Sequence, residues 1–465
     1  MIEGGSMVKI VRADAAEGKA QIAKILSRAQ FELPEVQASV DAIVRNVKER
    51  GDAALFGYTH ILDNSQKDRA NIRLGRAELE EALTIYLSQY DNNQIDKPGL
   101  LVSQAEIDAA YKEIDSDLLS VLRRAAARIR GFHQKQKHNS WLEPTATGEL
   151  LGQMYRPVDS AGIYVPGGNA ALCSSVLMNI IPAQVAGVPR ICMATPPQND
   201  GSVPATTIVA AVEAGVSSIY KMGGAQAIAA LAYGTESVPR VDKIAGPGNI
   251  FVALAKRAVF GYVGIDSIAG PSEILILADE TANPRFVAAD MLSQAEHDAL
   301  ASAILVTTSE ALAEAVAKEL AAQTETLARK EIINKSLAAY GAILVTDSME
   351  EAAALSNAIA PEHLELCVAD AFGLLPAIRN AGAIFLGHYT PEPLGDYMAG
   401  PNHVLPTGGT ARFFSPLGVD DFVKKSSVLS FTKPAFDALA CDVIAFAEAE
   451  GLTAHANSVR VRIDE

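Results

Sequence analysis

Two hydrophobic patterns divide the chain near residue 145. Up to about residue 140 the sequence is rich in charge, and apolar residues recur at three- and four-residue spacing over residues 37–50 and 115–136. This period predicts two amphipathic helices. Residues 89–101 between them are polar and contain Asp91-Asn92-Asn93 and Pro98-Gly99. We expect an exposed insertion there, formed by a surface loop or a longer helix.

From about residue 150, short apolar runs alternate with alanine-rich helical windows, and the first of these runs end at glycine-rich turns or Pro-Pro. This rhythm predicts βαβ units, and therefore parallel sheets with helices on their faces. The predicted strands are residues 161–165, 190–194, 218–222, 242–245, 273–278, 303–307, 342–346 and 383–387.

One strand sequence recurs. Ala303-Ile-Leu-Val-Thr307 returns as Ala342-Ile-Leu-Val-Thr346, and Ser, Glu and an alanine-rich window follow each copy. We infer a duplicated βαβ unit and an α/β fold with two related Rossmann-like parallel-sheet domains, although such runs are also common strand vocabulary. The predicted divisions are a mainly helical N-terminal segment packing on the core (1–145), the first domain (146–268), the second domain (269–390), and a C-terminal loop and helical segment (391–465).

Composition narrows the class of protein. The chain has 465 residues, of which 49% are hydrophobic and 20% charged, so long disorder is not expected. Its net charge of −16 disfavours binding to nucleic acid. An anionic cofactor remains compatible with this charge, because backbone N–H groups can hold one locally.

Cysteine spacing and the N-terminus bear on the compartment. The closest cysteines are Cys173 and Cys192, so there is no thiolate metal knuckle, and a disulfide scaffold is not expected in a chain this large. No basic segment followed by an apolar run opens the sequence. The longest uncharged stretch, residues 160–189, is interrupted by Pro166-Gly167-Gly168-Asn169. We therefore expect a cytoplasmic protein without a membrane span.

Glycine turns after predicted strands are candidates for binding phosphate. The sequence has no P-loop, no HExxH, no GxSxG and no clean GxGxxG followed by an acid. Gly223-Gly224-Ala225-Gln226 and Gly246-Pro247-Gly248-Asn249 nevertheless join strands to helices, and free N–H groups at a helix start can hold an anion. Most turns of this kind only close a βα connection, so both interpretations stay open.

Several histidines lie beside other polar side chains. Gln294 and His297 are three residues apart and share a helix face, where both can approach one cation. His363 follows Glu362 directly, and an imidazole beside a carboxylate suits proton transfer. A mixed set of Gln, His and Asp ligands suits Zn²⁺. A single histidine is more often a satisfied structural group, and spacing alone does not show that these residues converge.

The motifs in this sequence together resemble the histidinol dehydrogenase family. Matching blocks run in the family's order from about residue 40 to the C-terminus. The blocks are Tyr164-Val-Pro-Gly-Gly, Gly223-Gly-Ala-Gln-Ala-Ile-Ala-Ala-Leu, Gly246-Pro-Gly-Asn, Ala269-Gly-Pro-Ser-Glu, Ser293-Gln-Ala-Glu-His, Pro361-Glu-His-Leu, Gly395-Asp-Tyr, Asn402-His-Val-Leu-Pro-Thr and Leu452-Thr-Ala-His.

The resemblance implies a zinc-dependent, NAD-linked enzyme of histidine biosynthesis that oxidises L-histidinol to L-histidinal and then to L-histidine. Carried over by position, the ligands of one zinc per subunit are Gln294, His297, Asp396 and His455, which also contact the substrate. His363 is the general base and a substrate contact, with Glu362 as its partner and the activator of water. Further substrate contacts are Ser272, Tyr397, His403 and Glu450, and the NAD contacts are Tyr164, Gln226 and Asn249.

The resemblance also implies a homodimer with shared active sites, in which the C-terminal segment reaches the other subunit. His455 and Glu450 then serve the neighbour's site. Residues 89–101 depart from the family pattern and hold no catalytic residue in this interpretation. The alternatives are a sister dehydrogenase acting on another polar alcohol, and a non-catalytic zinc- or nucleotide-binding protein. The number of NADH formed per histidinol distinguishes them.

Overall fold

The computed structural model describes residues 8–27, 34–63, 75–91, 99–167 and 172–463. Helices dominate the N-terminal part, and both amphipathic helices expected from the sequence are present as α2 and α6 in the following series. The elements are β1 (Ile10–Arg12), α1 (Ala16–Ser27), α2 (Pro34–Arg50), α3 (Asp52–Tyr58), α4 (Arg76–Asp91), α5 (Gln104–Glu113), α6 (Ser116–His133), β2 (Trp141–Pro144) and β3 (Glu149–Pro157). Within the expected insertion at 89–101, residues 89–91 end α4, and residues 92–98 lie outside the described residues.

The first α/β unit follows. Its elements are β4 (Ser160–Tyr164), α7 (Cys173–Ala186), β5 (Arg190–Thr195), α8 (Ala205–Ala214), β6 (Ser218–Lys221), α9 (Gly224–Tyr233), β7 (Lys243–Ala245), α10 (Ile250–Val259) and β8 (Gly264–Ile265). Its five strands are parallel in the order β6-β5-β4-β7-β8. The N-terminal helices cover this unit, with α2 on α9 and α10, α5 on α8, and α6 on α7.

The second α/β unit repeats the arrangement. Its elements are β9 (Glu273–Ala278), α11 (Pro284–Ala295), β10 (Ser302–Thr307), α12 (Glu310–Thr324), α13 (Lys330–Tyr340), β11 (Ala342–Val345), α14 (Met349–Ile359), β12 (His363–Cys367), α15 (Ala371–Leu374) and β13 (Ala383–Leu386). The parallel order is β11-β10-β9-β12-β13, with β1 added beside β11 at the edge.

The relation between the units lies in strand order. When the strands are numbered within each unit, both sheets read 3-2-1-4-5, so the expected fold of two Rossmann-like sheets is confirmed. The repeated Ile-Leu-Val sequence does not mark this relation, because its two copies form β10 and β11, which are neighbours in the second sheet. That part of the argument from sequence is corrected: the recurrence lies within one unit.

A C-terminal arm completes the chain. Its elements are α16 (Glu392–Leu394), β14 (Val423–Phe431), α17 (Lys433–Ala449) and α18 (Thr453–Ile463). The expected helical C-terminal segment therefore contains a strand as well, and β14 pairs antiparallel with β3 in a largely exposed three-stranded sheet with β2. The helices α17 and α18 pack chiefly against each other. Among the helices of the described ranges, none is long and apolar enough to cross a membrane.

Candidate active site

A cavity of about 830 Å³ lies between the two α/β units. Asp266 and Ser267, just after the carboxyl end of β8, line it from the first unit. His363, at the amino end of β12, lines it from the second unit, and Asp396 and His403 enter from the segment after β13. Doubly wound sheets usually bind ligands beyond the carboxyl ends of their strands. Here the carboxyl edge of one sheet and the amino edge of the other border one cavity.

His363 is buried, and its two ring nitrogens differ. Nδ1 lies 2.9 Å from the carbonyl oxygen of Glu273, to which an N–H donates. Nε2 is then an acceptor, and it has no hydrogen-bond partner among the described residues. Burial lowers the pKa of His363 to about 3, so the ring is neutral near pH 7. A neutral imidazole whose Nε2 is an unpartnered acceptor can take up a proton.

Glu362 and Glu273 tie the amino ends of β12 and β9 together. The Glu362 carboxylate accepts the backbone N–H of Glu273 at 2.8 Å, and the Glu273 carboxylate accepts that of Glu362 at 3.3 Å. Glu362 Oε2 lies 3.6 Å from Nδ1 of His363. Burial raises the pKa of Glu362, which strengthens its carboxylate as a base.

Two carboxyl groups face Nε2 of His363, that of buried Glu392 and that of half-buried Asp396. Oε1 of Glu392 and Oδ1 of Asp396 each lie 3.8 Å from this nitrogen. The ligand atoms of all three residues lie within 4.8 Å of one another, close enough to surround one cation. Burial raises the pKa of both carboxyl groups, because adjacent buried carboxylates repel unless a proton or a cation neutralises them. The arrangement fits a bound cation.

The two helix residues expected as zinc ligands lie at the carboxyl end of α11. Gln294 is fully buried, and neither its Oε1 nor its Nε2 has a hydrogen-bond partner in the described part of the chain. Such an amide is rare unless a ligand satisfies it. His297 follows α11 and is exposed. These amide, imidazole and carboxylate groups form a nitrogen and oxygen donor set that suits Zn²⁺.

His403 links the second half of the site to the first unit. Its Nδ1 lies 3.2 Å from the backbone oxygen of Asp396 and 3.7 Å from the carboxylate of the same residue. Its Nε2 lies 3.3 Å from the hydroxyl of Ser175 on α7. Of the other expected substrate contacts, Ser272 directly precedes β9, and Tyr397 follows Asp396 with 58% of its surface exposed.

Glu450 and His455 lie elsewhere on the chain. Glu450 ends α17 and His455 lies on α18, and both side chains are exposed. Neither belongs to the cluster of His363, Glu392 and Asp396. Their roles toward a neighbouring subunit stay predictions.

The expected NAD contacts lie at the carboxyl edge of the first sheet. Asn249 caps α10 and is exposed, whereas Tyr164 and Gln226 are buried. The start of α9, where we expected free N–H groups, is occupied: Asp63 accepts the N–H of Gly223 at 3.0 Å and the Gln226 amide at 3.2 Å. The hydroxyl of Tyr164 accepts the N–H of Gly224 at 3.1 Å. Two N–H groups of this turn are therefore already satisfied within the chain, and a role of the turn in binding an anion stays a prediction.

The start of α10 is likewise closed by the chain itself. The Asn249 side chain accepts the N–H groups of Phe251 and Val252 at 3.1 and 3.2 Å. The Gln226 Oε1, in contrast, is buried and has no partner among the described residues.

Sequence reasoning missed three buried acidic residues around the site, Glu273, Glu365 and Glu392, and the half-buried Asp290. The three buried residues lie within or next to motifs of the family resemblance: Glu273 ends Ala269-Gly-Pro-Ser-Glu, Glu365 follows Pro361-Glu-His-Leu, and Glu392 precedes Gly395-Asp-Tyr. An acidic residue in an apolar strand, as in His363-Leu-Glu-Leu-Cys, was the available signal.

Comparisons with known proteins agree on one family. The family model for histidinol dehydrogenases matches residues 76–463. A histidinol dehydrogenase of Halalkalibacterium halodurans is 54% identical over 92% of this chain and 94% of its own length, and one of Clostridium acetobutylicum is 49% identical over 98% and 99%. The crystal structure of histidinol dehydrogenase from Elizabethkingia anophelis superposes with a TM-score of 0.87 at 36% identity, covering 99% of both chains.

Proposed function

The chain belongs to the histidinol dehydrogenase family of oxidoreductases, and on that premise we propose that its cavity carries out a zinc-dependent, NAD-linked oxidation of L-histidinol through L-histidinal to L-histidine, the last step of histidine biosynthesis. The observation that carries the proposal is the unpartnered Nε2 of neutral His363 beside the carboxyl groups of Glu392 and Asp396.

The proposed zinc site uses Gln294, His297 and Asp396 of one chain together with His455 of the partner subunit. The unsatisfied amide of Gln294 and the crowded buried carboxyl groups support it. Zinc, when bound, supplies a Lewis acid that orients the amine and imidazole nitrogens of histidinol. If the assignment is right, His297→Ala loses most of its metal, since one of four ligands is removed. Metal analysis that finds one zinc per chain in this variant refutes it.

The proton steps follow from the surroundings of His363. In the first oxidation a hydride leaves the carbinol carbon and the hydroxyl proton passes to Nε2, while the Glu273 carbonyl holds the ring by its Nδ1–H. In the second, Glu362 takes a proton from the water that adds to the aldehyde, and a second hydride leaves. Its raised pKa supports this role, because a stronger base activates water better.

NAD⁺, when bound, accepts the hydride in each oxidation, and we assign it to the carboxyl edge of the first sheet. The strand order reverses between β4 and β7, and nucleotides bind doubly wound sheets at such a point. Asn249 is exposed there, and Gln226 has an unpartnered amide oxygen. Asn249→Ala and Gln226→Ala are expected to weaken NAD⁺ binding without loss of zinc. Unchanged NAD⁺ affinity in both variants indicates that the cofactor binds elsewhere.

The proposed assembly is a homodimer in which the C-terminal arm docks on a second copy. Large apolar side chains on the arm are exposed, including Leu429 at 66% and Phe446 at 72%. Such apolar surface marks an interface. Docking of the arm would deliver Glu450 and His455 to the partner's cavity and complete both sites.

Two measurements test the proposed reaction and the proposed assembly. Titration of histidinol with excess NAD⁺ is expected to yield two NADH per histidinol, because alcohol to acid is a four-electron change; one NADH indicates an ordinary alcohol dehydrogenase.

The second measurement mixes two inactive variants, His363→Ala and Glu450→Ala, by unfolding and refolding them together. Random pairing makes about half of the dimers hybrids, each with one intact site, so about a quarter of the wild-type activity returns. Wild-type chains refolded alone serve as the control. If nothing returns in the mixture while that control recovers, the site is not shared.

A further inference from the structure

Glu365 is an acidic residue in the middle of β12 that the proposed chemistry does not use. Its surface is 1% exposed. It follows His363 by two residues, so both side chains lie on the same face of the sheet. Cys367 continues this row, with its Sγ 4.0 Å from Glu365 Oε2. Burying a carboxyl group in a parallel sheet is unfavourable unless its hydrogen bonds are made. The partners of Glu365 are therefore informative.

The first partner is the turn that carries Asp396. Oε1 of Glu365 accepts the backbone N–H of Glu392 at 2.8 Å. Glu392 opens α16, four residues before Asp396, and the intervening backbone is continuously helical from α16 into the π-helical turn Gly395–Ala399. This hydrogen bond therefore fixes the start of the segment that brings the Asp396 carboxylate to the site.

The second partner is the helix that carries Gln294. The carboxyl groups of Glu365 and Asp290 share a hydrogen bond, which requires that one of them be protonated. Burial raises the pKa of both carboxyl groups, which favours a proton shared between them. Asp290 lies on α11, four residues and so about one turn before Gln294, on the same helix face.

We propose that Glu365 is a positioning residue that holds the helix bearing Gln294 and the turn bearing Asp396 at a fixed spacing on β12. The two hydrogen-bond partners of Glu365 each lie about one helical turn before a proposed zinc ligand, Gln294 or Asp396. Glu365 itself follows His363 by two residues on β12. Removing a residue that orients the metal ligands through hydrogen bonds typically changes metal affinity by ~10–100-fold. This inference rests on the zinc site of the proposed function.

The test compares zinc affinity of metal-stripped protein, measured by competition with a chromophoric chelator. Glu365→Leu keeps the bulk but removes both hydrogen bonds, and we expect zinc to bind at least ~10-fold more weakly. Glu365→Gln keeps the acceptor for Glu392 and supplies an N–H for Asp290, so its affinity is expected to match wild type. Asp290→Ala, at a half-buried position, removes only the tie to α11 and is expected to weaken zinc binding less than Glu365→Leu.

Asn357 provides the matched control. It is also buried in the second unit, where it accepts from Arg379 at 2.7 Å and Asn380 at 3.1 Å and donates to Ala377 at 2.8 Å. The loop that Asn357 holds, residues 377–380, bears none of the site residues. Asn357→Leu is therefore expected to lower the melting temperature of the stripped protein but to keep wild-type zinc affinity.

The outcomes separate the two levels of the argument. If wild type binds no zinc, the proposed function and this inference both fail. If wild type binds zinc and Glu365→Leu binds it equally well, or Asn357→Leu loses as much affinity, only the inference is overturned. If Glu365→Leu does not fold, Asp290→Ala decides, and wild-type zinc affinity in that variant overturns the inference. Weak binding in Glu365→Gln also contradicts it, because that variant retains both hydrogen bonds.

Discussion

A buried ion pair fixes the turn that leads into α10, and its removal gives a sharp prediction. Lys256 is 2% exposed, donates to the carbonyl oxygen of Gly246 at 3.0 Å and pairs with Asp266. Asp266 in turn accepts the N–H of Gly246 at 2.9 Å. Gly246 has φ of +124°, and a Cβ there would lie 2.0 Å from the backbone oxygen of Tyr164. Both peptide groups of this glycine therefore depend on the pair.

Lys256→Met keeps most of the packing and removes the charge. Asp266 then remains buried without its counter-charge, and the carbonyl of Gly246 loses its donor. Breaking a buried pair by removing one partner costs ~3–5 kcal/mol, a large part of the ~5–15 kcal/mol that stabilises a typical protein. With a denaturant slope of ~2 kcal/mol per M of urea, the unfolding midpoint falls by ~2 M.

Urea unfolding followed by circular dichroism measures this loss. Lys243→Met is the matched control: Lys243 lies on β7 and its pair with Asp421 spans 3.6 Å with partly exposed side chains, so we expect a loss below ~1 kcal/mol. Lys256→Met combined with Asp266→Asn is expected to recover part of the loss, because no unpaired charge remains. The reasoning is refuted if Lys256→Met unfolds within ~1 kcal/mol of wild type.

Three further predictions follow from individual side chains. His363→Asn is expected to lower turnover by ~10²–10⁴ with unchanged zinc content, checked by steady-state kinetics and metal analysis; normal turnover excludes it as the base. Glu362→Gln is expected to slow oxidation of histidinal more than that of histidinol, and equal slowing of the two half-reactions rules out a role confined to the second. The hydrogen bond from Arg123 lowers the pKa of Glu213 below its ordinary value of 4.5, so this stabilisation is present above about pH 4.5 and is lost as the pH falls further. Glu213→Gln is therefore expected to show a smaller drop in melting temperature from pH 6 to about pH 3 than wild type, and an equal drop contradicts the assignment.

Local pattern predicted the strands that are uniformly apolar. The eight expected strands are present, since a buried parallel strand reads as a continuous apolar run. The strand that carries the site, β12, was missed because His363 and Glu365 interrupt its apolar residues. The polar side chains that place β12 at the site also break the apolar run by which a buried strand is recognised in a sequence.

Convergence in space was beyond local pattern. His363 and Asp396 come from β12 and the turn after α16, and only the fold of the second unit brings them together. The resemblance to a family named these residues without giving their geometry. The occupied start of α9 depends on Asp63, a contact across 160 residues that no feature of the glycine turn reveals.

The place of β1 at the edge of the second sheet has a consequence for synthesis. Ile10 pairs with Ile343, and Val8 is buried in the core of the second unit. At ~5–20 residues per second, the ribosome delivers β11 on the order of 20–60 s after β1 emerges. During this interval the first unit can fold with its covering helices, while the N-terminal strand has no sheet to join. A deletion at the N-terminus that removes Ile10 therefore exposes an edge of the second unit, although that unit lies more than 200 residues later in the sequence. The exposed strand β11 can then pair with other chains.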